Sequence, residues 1–214
     1  MFIPSLACAA AMVACADGGF EPRNGDMLFR VGEESQMGEA IREATDRGAA
    51  LPFTHAAIVE VRDGRCMVIE ACSHGVVRTD LETFLSHAAR IGGRPAVAVC
   101  RLREEFGGQQ AADAAVARAA EFIGQPYDYS FLPDNGRMYC SELLYECYLD
   151  LQGEHIFTAR PMNFRSPDGS MPQFWSELFE SLGEPVPEGV PGTNPADMFA
   201  EPGIELVGQY YITE

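Results

Sequence analysis

The chain has 214 residues, with 32 acidic and 15 basic side chains and a formal net charge of −17. Every basic residue is an arginine, so no lysine is available as a nucleophile, a Schiff-base former or a phosphate anchor. Hydrophobic residues at 47% suffice for a folded core rather than a disordered chain, and the acidic balance argues against a nucleic-acid partner, which needs a basic face.

The stretch from Phe2 to Ala16 is small and apolar and too short to span a bilayer. It reads as the hydrophobic part of an export signal without the usual basic residues before it. Met12-Val13-Ala14-Cys15 resembles a lipoprotein processing site, with Cys15 as the residue that would carry a lipid tether to the membrane. Residues 1–20 are read as that segment, and the expected location is the cell envelope, periplasmic or lipid-anchored. The alternative is an apolar segment packed on the domain of a cytoplasmic protein.

Residues 21–214 read as one α+β domain, with no internal repeat and no linker between two composition regimes. Asn24-Gly25-Asp26 is a turn, and Met27-Leu28-Phe29 a short strand. Ser35 caps a helix through Ile41 and Ala44 that stops at Gly48. Strands are expected over Phe53–Val61, Cys66–Cys72 and Ala96–Leu102, and a helix over Thr79–Ala89. A second helix runs from Gln110 to Ile123, closed by Gly124 and Pro126. A Tyr- and Pro-containing loop from Gln125 to Arg137 leads into a third helix from about Tyr139 to Leu151. The last sixty residues are an irregular wrap that returns as a strand within Gly203–Thr213.

Seven cysteines, an odd number without C-x-x-C or zinc-like spacing, give neither a disulfide scaffold nor a metal site. No metal and no cofactor is expected. By default such cysteines are small buried hydrophobes. His74, His87 and His155 read as surface residues, His74 alternatively at the mouth of a cleft, with no pair at metal-binding spacing.

The most informative local feature is Asp63-Gly64. A two-residue Asp-Gly loop favours a type I′ turn and so fixes the register of both flanking strands. Arg62 then faces Arg65, Val61 faces Cys66, Val59 faces Val68, Ala57 faces Glu70, and His55 faces Cys72. Period-two alternation puts His55 and Glu70 on one face as diagonal neighbours. Two titratable groups among Ala, Val and Cys must satisfy each other. The hairpin by itself fits a structural core bond as well as a catalytic pair.

Cys140, Leu143, Leu144, Cys147 and Leu151 recur at helical spacing, so Cys140 faces inward from the first turn of its helix. Free N–H groups and the partial positive charge there favour thiolate and could help hold an oxyanion. Alone, such a cysteine is a packing residue. Together, a Cys at a helix start, a His on a strand and a carboxylate on the next strand are the parts of a papain-type site.

Five segments in order carry a family resemblance: Gly25-Asp26-Met27-Leu28-Phe29, Thr54-His55-Ala56-Ala57-Ile58-Val59, Val68-Ile69-Glu70-Ala71, Gly124-Gln125-Pro126-Tyr127-Asp128 and Tyr139-Cys140-Ser141-Glu142-Leu143. From about Asn24 to Leu151 the chain resembles the circularly permuted NlpC-type papain-like amidases, the YiiX/YaeF-like group. The resemblance implies a permuted papain-like fold, with a central antiparallel sheet packed on helices. It puts the nucleophile on Cys140, the base on His55 and the third polar residue on Glu70. Tyr127 falls where the relatives have a tyrosine beside the nucleophile that helps bind the oxyanion. Ser141 and Asp128 are supporting neighbours by proximity only.

By resemblance the expected activity is amide cleavage through an acyl-enzyme, on peptide or acyl-amide substrates such as peptidoglycan stem peptides. Permuted relatives that carry fatty acyl groups make an acyltransferase or an amidase of lipid or N-acyl amino acid substrates the alternative. A non-catalytic binding domain on the same fold is the third reading.

Overall fold

The structure is a computed structural model and describes residues 22–45 and 51–211. The apolar leader with Cys15, the stop at Gly48 and Thr213 lie outside the described residues. Six strands, β1 (Met27–Arg30), β2 (His55–Arg62), β3 (Arg65–Cys72), β4 (Gly75–Asp80), β5 (Val97–Leu102) and β6 (Ile204–Gln209), form one sheet. Their order is β6-β5-β1-β2-β3-β4, and every neighbouring pair is antiparallel.

Helices cover both faces, which is why all four residues of interior β1 are buried. On one face Met27, Phe29, Ile58 and Ile69 pack with Ala115 of α3 (Gly108–Glu121) and with Leu143 and Leu144 of α4 (Cys140–Cys147). On the other, Leu28, Ala57, Val59 and Val68 pack beneath Leu81 and Phe84 of α2 (Leu81–Ser86). A third cluster of Phe131, Tyr139, Phe164, Trp175 and Phe179 joins α1 (Gln36–Thr45), α5 (Gln173–Leu182) and the loop before α4. The architecture is the expected one, mixed α and β with a central antiparallel sheet packed on helices.

The β2–β3 hairpin has the anticipated turn and register. Asp63 and Gly64 both have positive φ, 52° and 73°, the requirement of a type I′ turn. Val61 pairs with Cys66 and Val59 with Val68. At the other end of β3, Gly75 starts β4 at φ 90°, and a Cβ there would collide with the Gln125 carbonyl. That close approach lets Val76 N–H donate to Gln125 O at 2.9 Å and ties the Tyr127 loop to the sheet.

Three boundaries differ from the sequence reading. The helix expected over Thr79–Ala89 is shorter, because Gly75–Asp80 continues the meander as β4 and the Asp80 carboxylate caps α2 by accepting from Thr83 N–H at 2.9 Å. The helix expected to reach Leu151 ends at Cys147. Tyr148 leaves it in extended conformation and sends its hydroxyl to Gly25 O at 2.7 Å, so Leu151 is exposed rather than part of the inward stripe. The wrap is less irregular than expected, since it holds α5 and α6 (Pro195–Phe199). In α5, Phe174, Trp175, Leu178, Phe179 and Leu182 recur at helical spacing before the αL residue Gly183, a signal that was present in the sequence.

Candidate active site

Cys140 is the first residue of α4, whose opening N–H groups have no partners within the helix. The N-terminus is held by Tyr139, whose N–H donates to Glu142 Oε2 at 3.3 Å. Burial pushes Glu142 up to about 8, helped by the nearby charges of Asp128 and Glu146, so its carboxyl is largely neutral at pH 7. Leu143 and Leu144 anchor α4 in the core, and Cys140 itself is 6% exposed.

His55 opens β2 beside the start of α4. Its position is set from β1: Thr54 N–H donates to Arg30 O at 3.0 Å, and the Thr54 hydroxyl accepts from Gly32 N–H at 3.0 Å. His55 Nε2 lies 2.7 Å from Glu70 Oε2, and Cys140 lies near enough to the ring to help raise its value. The three residues assigned to chemistry from the sequence are thus brought together.

Burial opposes the charged form of all three groups, and their mutual contacts overcome it. Desolvation raises the Cys140 thiol, but the His55 hydrogen bond and charge, with the N–H groups of Ala56 and Ser141 aimed at the sulfur, bring it below its ordinary value. Desolvation and the Arg30 charge lower His55, yet the bonds to Cys140 and Glu70 hold it above its ordinary value. Glu70 is raised by burial and then carried down to about 2 by His55, Arg30 and a hydrogen bond with Thr79. The contacts thus shift Cys140 toward thiolate and His55 toward imidazolium, with an ionised Glu70 carboxylate behind the ring.

Arg30 and Thr79 are the contributors that the sequence reading missed. Arg30 is the cross-strand partner of His55. Its guanidinium sits 4.5 Å from the Phe84 ring centroid and donates to Phe84 O at 3.0 Å. Thr79 was assigned to a helix, but it lies on β4 opposite Val68, two register positions from the Glu70–Val77 pair and on the same face.

Tyr127 is held beside Cys140 by a bridge to Met138. Met138 N–H donates to Pro126 O at 3.0 Å, and Asp128 N–H donates to Met138 O at 3.2 Å. The Asp128 carboxylate accepts from Ser130 and Leu132 N–H, both at 2.9 Å, which closes the loop. Burial and then the Cys140 charge push Tyr127 far above its ordinary value, so its hydroxyl keeps its proton as a donor. Ser141 points elsewhere: its hydroxyl donates to Thr193 O at 3.0 Å and fastens α4 to the C-terminal segment.

Two recesses meet at this constellation, and Ile41, Thr54 and Tyr127 line both. Cys140 opens into an aromatic recess walled by Phe131, Phe164, Trp175 and Met162. His55 opens into a polar one with Arg30, Glu33, Cys72 and His87. His87 and His74 therefore stand near the mouth of the site, while His155 stacks on Tyr145 at 3.9 Å.

The family described as permuted papain-like amidase enzyme, YaeF/YiiX, C92 family, matches residues 21–208. The uncharacterised protein YiiX of Escherichia coli K12 is 26% identical over 204 residues, 95% of each chain. A crystal structure described as metalloprotein yiiX from Escherichia coli O157:H7 superposes with a TM-score of 0.71 at 25% identity, covering 90% of this chain and 100% of that one. Among the described residues here, no group of three His, Cys, Asp or Glu side chains could hold a metal ion. The match spans the sheet, the Cys140 helix and most of the wrap, so the chain belongs to the permuted papain-like amidase family C92 (YaeF/YiiX), a family of cysteine-hydrolase type.

Proposed function

We propose that the chain is a thiol amidase in which Cys140 is the nucleophile, His55 the proton carrier and Glu70 the group that orients the imidazole. The observation that carries this is the buried His55–Glu70 contact, Nε2 to Oε2 at 2.7 Å, with Cys140 close enough to the ring that each shifts the other toward its charged form. The Cys140 thiolate attacks the amide carbonyl carbon, and the oxyanion accepts from the Tyr127 hydroxyl and the Cys140 backbone N–H. The C–N bond breaks as His55 passes its proton to the departing amine. Water then attacks the thioester, gives a proton to His55, and releases the acid as the thiolate returns. No step is routed through a metal.

The substrates we assign are amides of cell-envelope peptides, such as D-glutamyl–diamino acid links, met by an exported enzyme. The aromatic recess beside Cys140 favours a second reading, an amide with an apolar acyl group. The test is an electrophilic thiol probe with a screen of peptidoglycan fragments against N-acyl amides. Wild type is expected to label on Cys140 and to turn over one of the two classes. Cys140→Ala is expected to lose both labelling and turnover. Undiminished hydrolysis in Cys140→Ala would overturn the assignment, and an unreactive thiol would leave a binding domain.

A further inference from the structure

We infer that Arg30 forms a carboxylate subsite in the polar recess, so that the half of the substrate departing as the amine is an amino acid with a free carboxylate. This rests on the acyl-enzyme reading above and assigns the chemistry of the leaving group.

The side of the site follows from which residue opens where. When the C–N bond breaks, the acyl group stays on Cys140 Sγ and the amine takes its proton from His55. Cys140 lines the aromatic recess and His55 the polar one, and neither lines both. The amine therefore leaves through the recess that Arg30 lines together with Cys72, Glu33 and His87.

The chemical class follows from a buried cation without a counter-ion in contact. Arg30 is 9% exposed and forms no ion pair with any described carboxylate. Glu70, whose charge acts on it most, is committed to His55 at 2.7 Å. Burial holds the guanidinium below its ordinary value, so the charges of Glu70, Cys140, Cys72 and Glu33 compensate it only in part. A buried charge is costly until it is paired.

The guanidinium also has donors to spare. Nη1 donates to Phe84 O at 3.0 Å, and Nε is sealed from solvent without a partner. Nη2 has no acceptor among the described residues either, but it is not one of the sealed atoms, so it is the nitrogen that reaches open space. Two of the groups whose charges act on the guanidinium, Cys72 and Glu33, line the same recess. A carboxylate there accepts from Nη2 and supplies the missing charge, whereas a neutral amide supplies an acceptor alone. Glu33 and Glu34 also line the recess but are exposed, and a pair made at the buried guanidinium is screened much less than they are.

The test compares N-phenylacetylglycine with N-phenylacetylglycinamide at about 0.15 M salt, where distant charges are largely screened. Both leave the same acyl group on Cys140, so phenylacetate release isolates the amine half. Wild type is expected to prefer the glycine substrate about tenfold in kcat/KM, the value of one charge-assisted hydrogen bond to a buried group. Full-length Cys140→Ala is expected to bind N-phenylacetylglycine about tenfold more tightly than the amide in calorimetry. Arg30→Met changes the absolute rates, since Arg30 also acts on His55 and Glu70. The readout is therefore the ratio, expected to fall to one or below.

A wild-type ratio of one or below, equal binding of the two ligands by Cys140→Ala, or a preference that survives Arg30→Met would overturn the inference. The binding comparison needs no catalysis, so it decides the subsite even if the amidase reading fails. Equal kcat/KM on two hydrolysed substrates would remove the subsite and leave that reading standing. Should Arg30→Met not fold, the wild-type ratio and the Cys140→Ala comparison decide between the outcomes.

Discussion

Burial alone would neutralise Cys140 and His55, and each is instead shifted toward its charged form by the other. Their mutual hydrogen bond leaves the thiol below its ordinary 9.0 and the imidazole above its ordinary 6.5. In the thiolate–imidazolium form proposed as reactive, the lowered thiol value sets the acid limb and the raised imidazole value the alkaline limb, so turnover should follow a bell with those two limbs. Glu70→Gln removes a hydrogen bond and a charge that favour imidazolium. The imidazolium then releases its proton at lower pH, so the basic limb moves acid. With less imidazolium beside it, the thiol ionises later, so the acid limb moves alkaline. We expect a narrower bell in amide hydrolysis and in iodoacetamide alkylation of Cys140, with kcat reduced about 10²–10⁴-fold; a profile of wild-type width would remove Glu70 from the mechanism. Tyr127→Phe separates the oxyanion from the ion pair. Loss of one donor should reduce kcat about 10²–10³-fold with KM little changed, while alkylation, which forms no oxyanion, continues. Parallel losses in both assays would place Tyr127 with the ion pair instead. The His55–Glu70 contact was legible because Asp63-Gly64 dictates a register. Arg30 was not, because the segment from 31 to 54 between β1 and β2 holds α1 and leaves their pairing unspecified by any turn.

At the scale of elements, the site depends on how α4 is fastened. Its core face is fixed by Leu143, Leu144 and Cys147, all fully buried. Its first turn is fixed by the wrap, through Ser141 Oγ to Thr193 O at 3.0 Å and Thr193 N–H to the Tyr139 hydroxyl at 3.2 Å. The hydroxyl of Ser141 thus has a structural partner, whereas its contribution to the sulfur comes from the backbone N–H. Ser141→Ala should lower stability by about 1 kcal/mol and Tm by about 2–4 °C, with kcat changed far less than in Tyr127→Phe. A collapse of kcat at unchanged Tm would instead assign chemistry to the hydroxyl. The helical stripe that aims Cys140 inward could be read from spacing, but the end of α4 could not. Tyr148 leaves the helix for Gly25, a long-range bond that outweighs local propensity. The same applies to β4, where pairing with β3 from Met67↔Asp80 to Cys72↔Gly75 overrides the helical pattern read from Thr79. The stripe of α5 was in the sequence, and reading it would have located Trp175 in the wall of the recess.

For the whole molecule, the dominant fact is a charge of −17 from an excess of carboxylates over arginines. The structure uses several arginines internally. Arg101 pairs with buried Asp26 at 2.7 Å, and Arg30 is held among Phe84, His55 and Glu70. Such arginines do little to offset the field outside, which remains negative. A substrate approaching from solvent feels that field before it meets either recess, and the effect falls off over the screening length. That length shrinks from roughly 30 Å at 0.01 M salt to roughly 8 Å at 0.15 M. The encounter rate is what the field changes, so kcat/KM should respond and kcat should not. For two amides with the same acyl group, one leaving an amine with two carboxylates and one leaving a neutral amine, kcat/KM of the anionic substrate should rise with salt while that of the neutral one stays level. Peptide stems rich in carboxylates would then be handled best at high ionic strength. If the anionic substrate instead slows as salt is added, a local positive feature near Arg30 outweighs the field of the whole chain, and net charge is the wrong guide to the substrate.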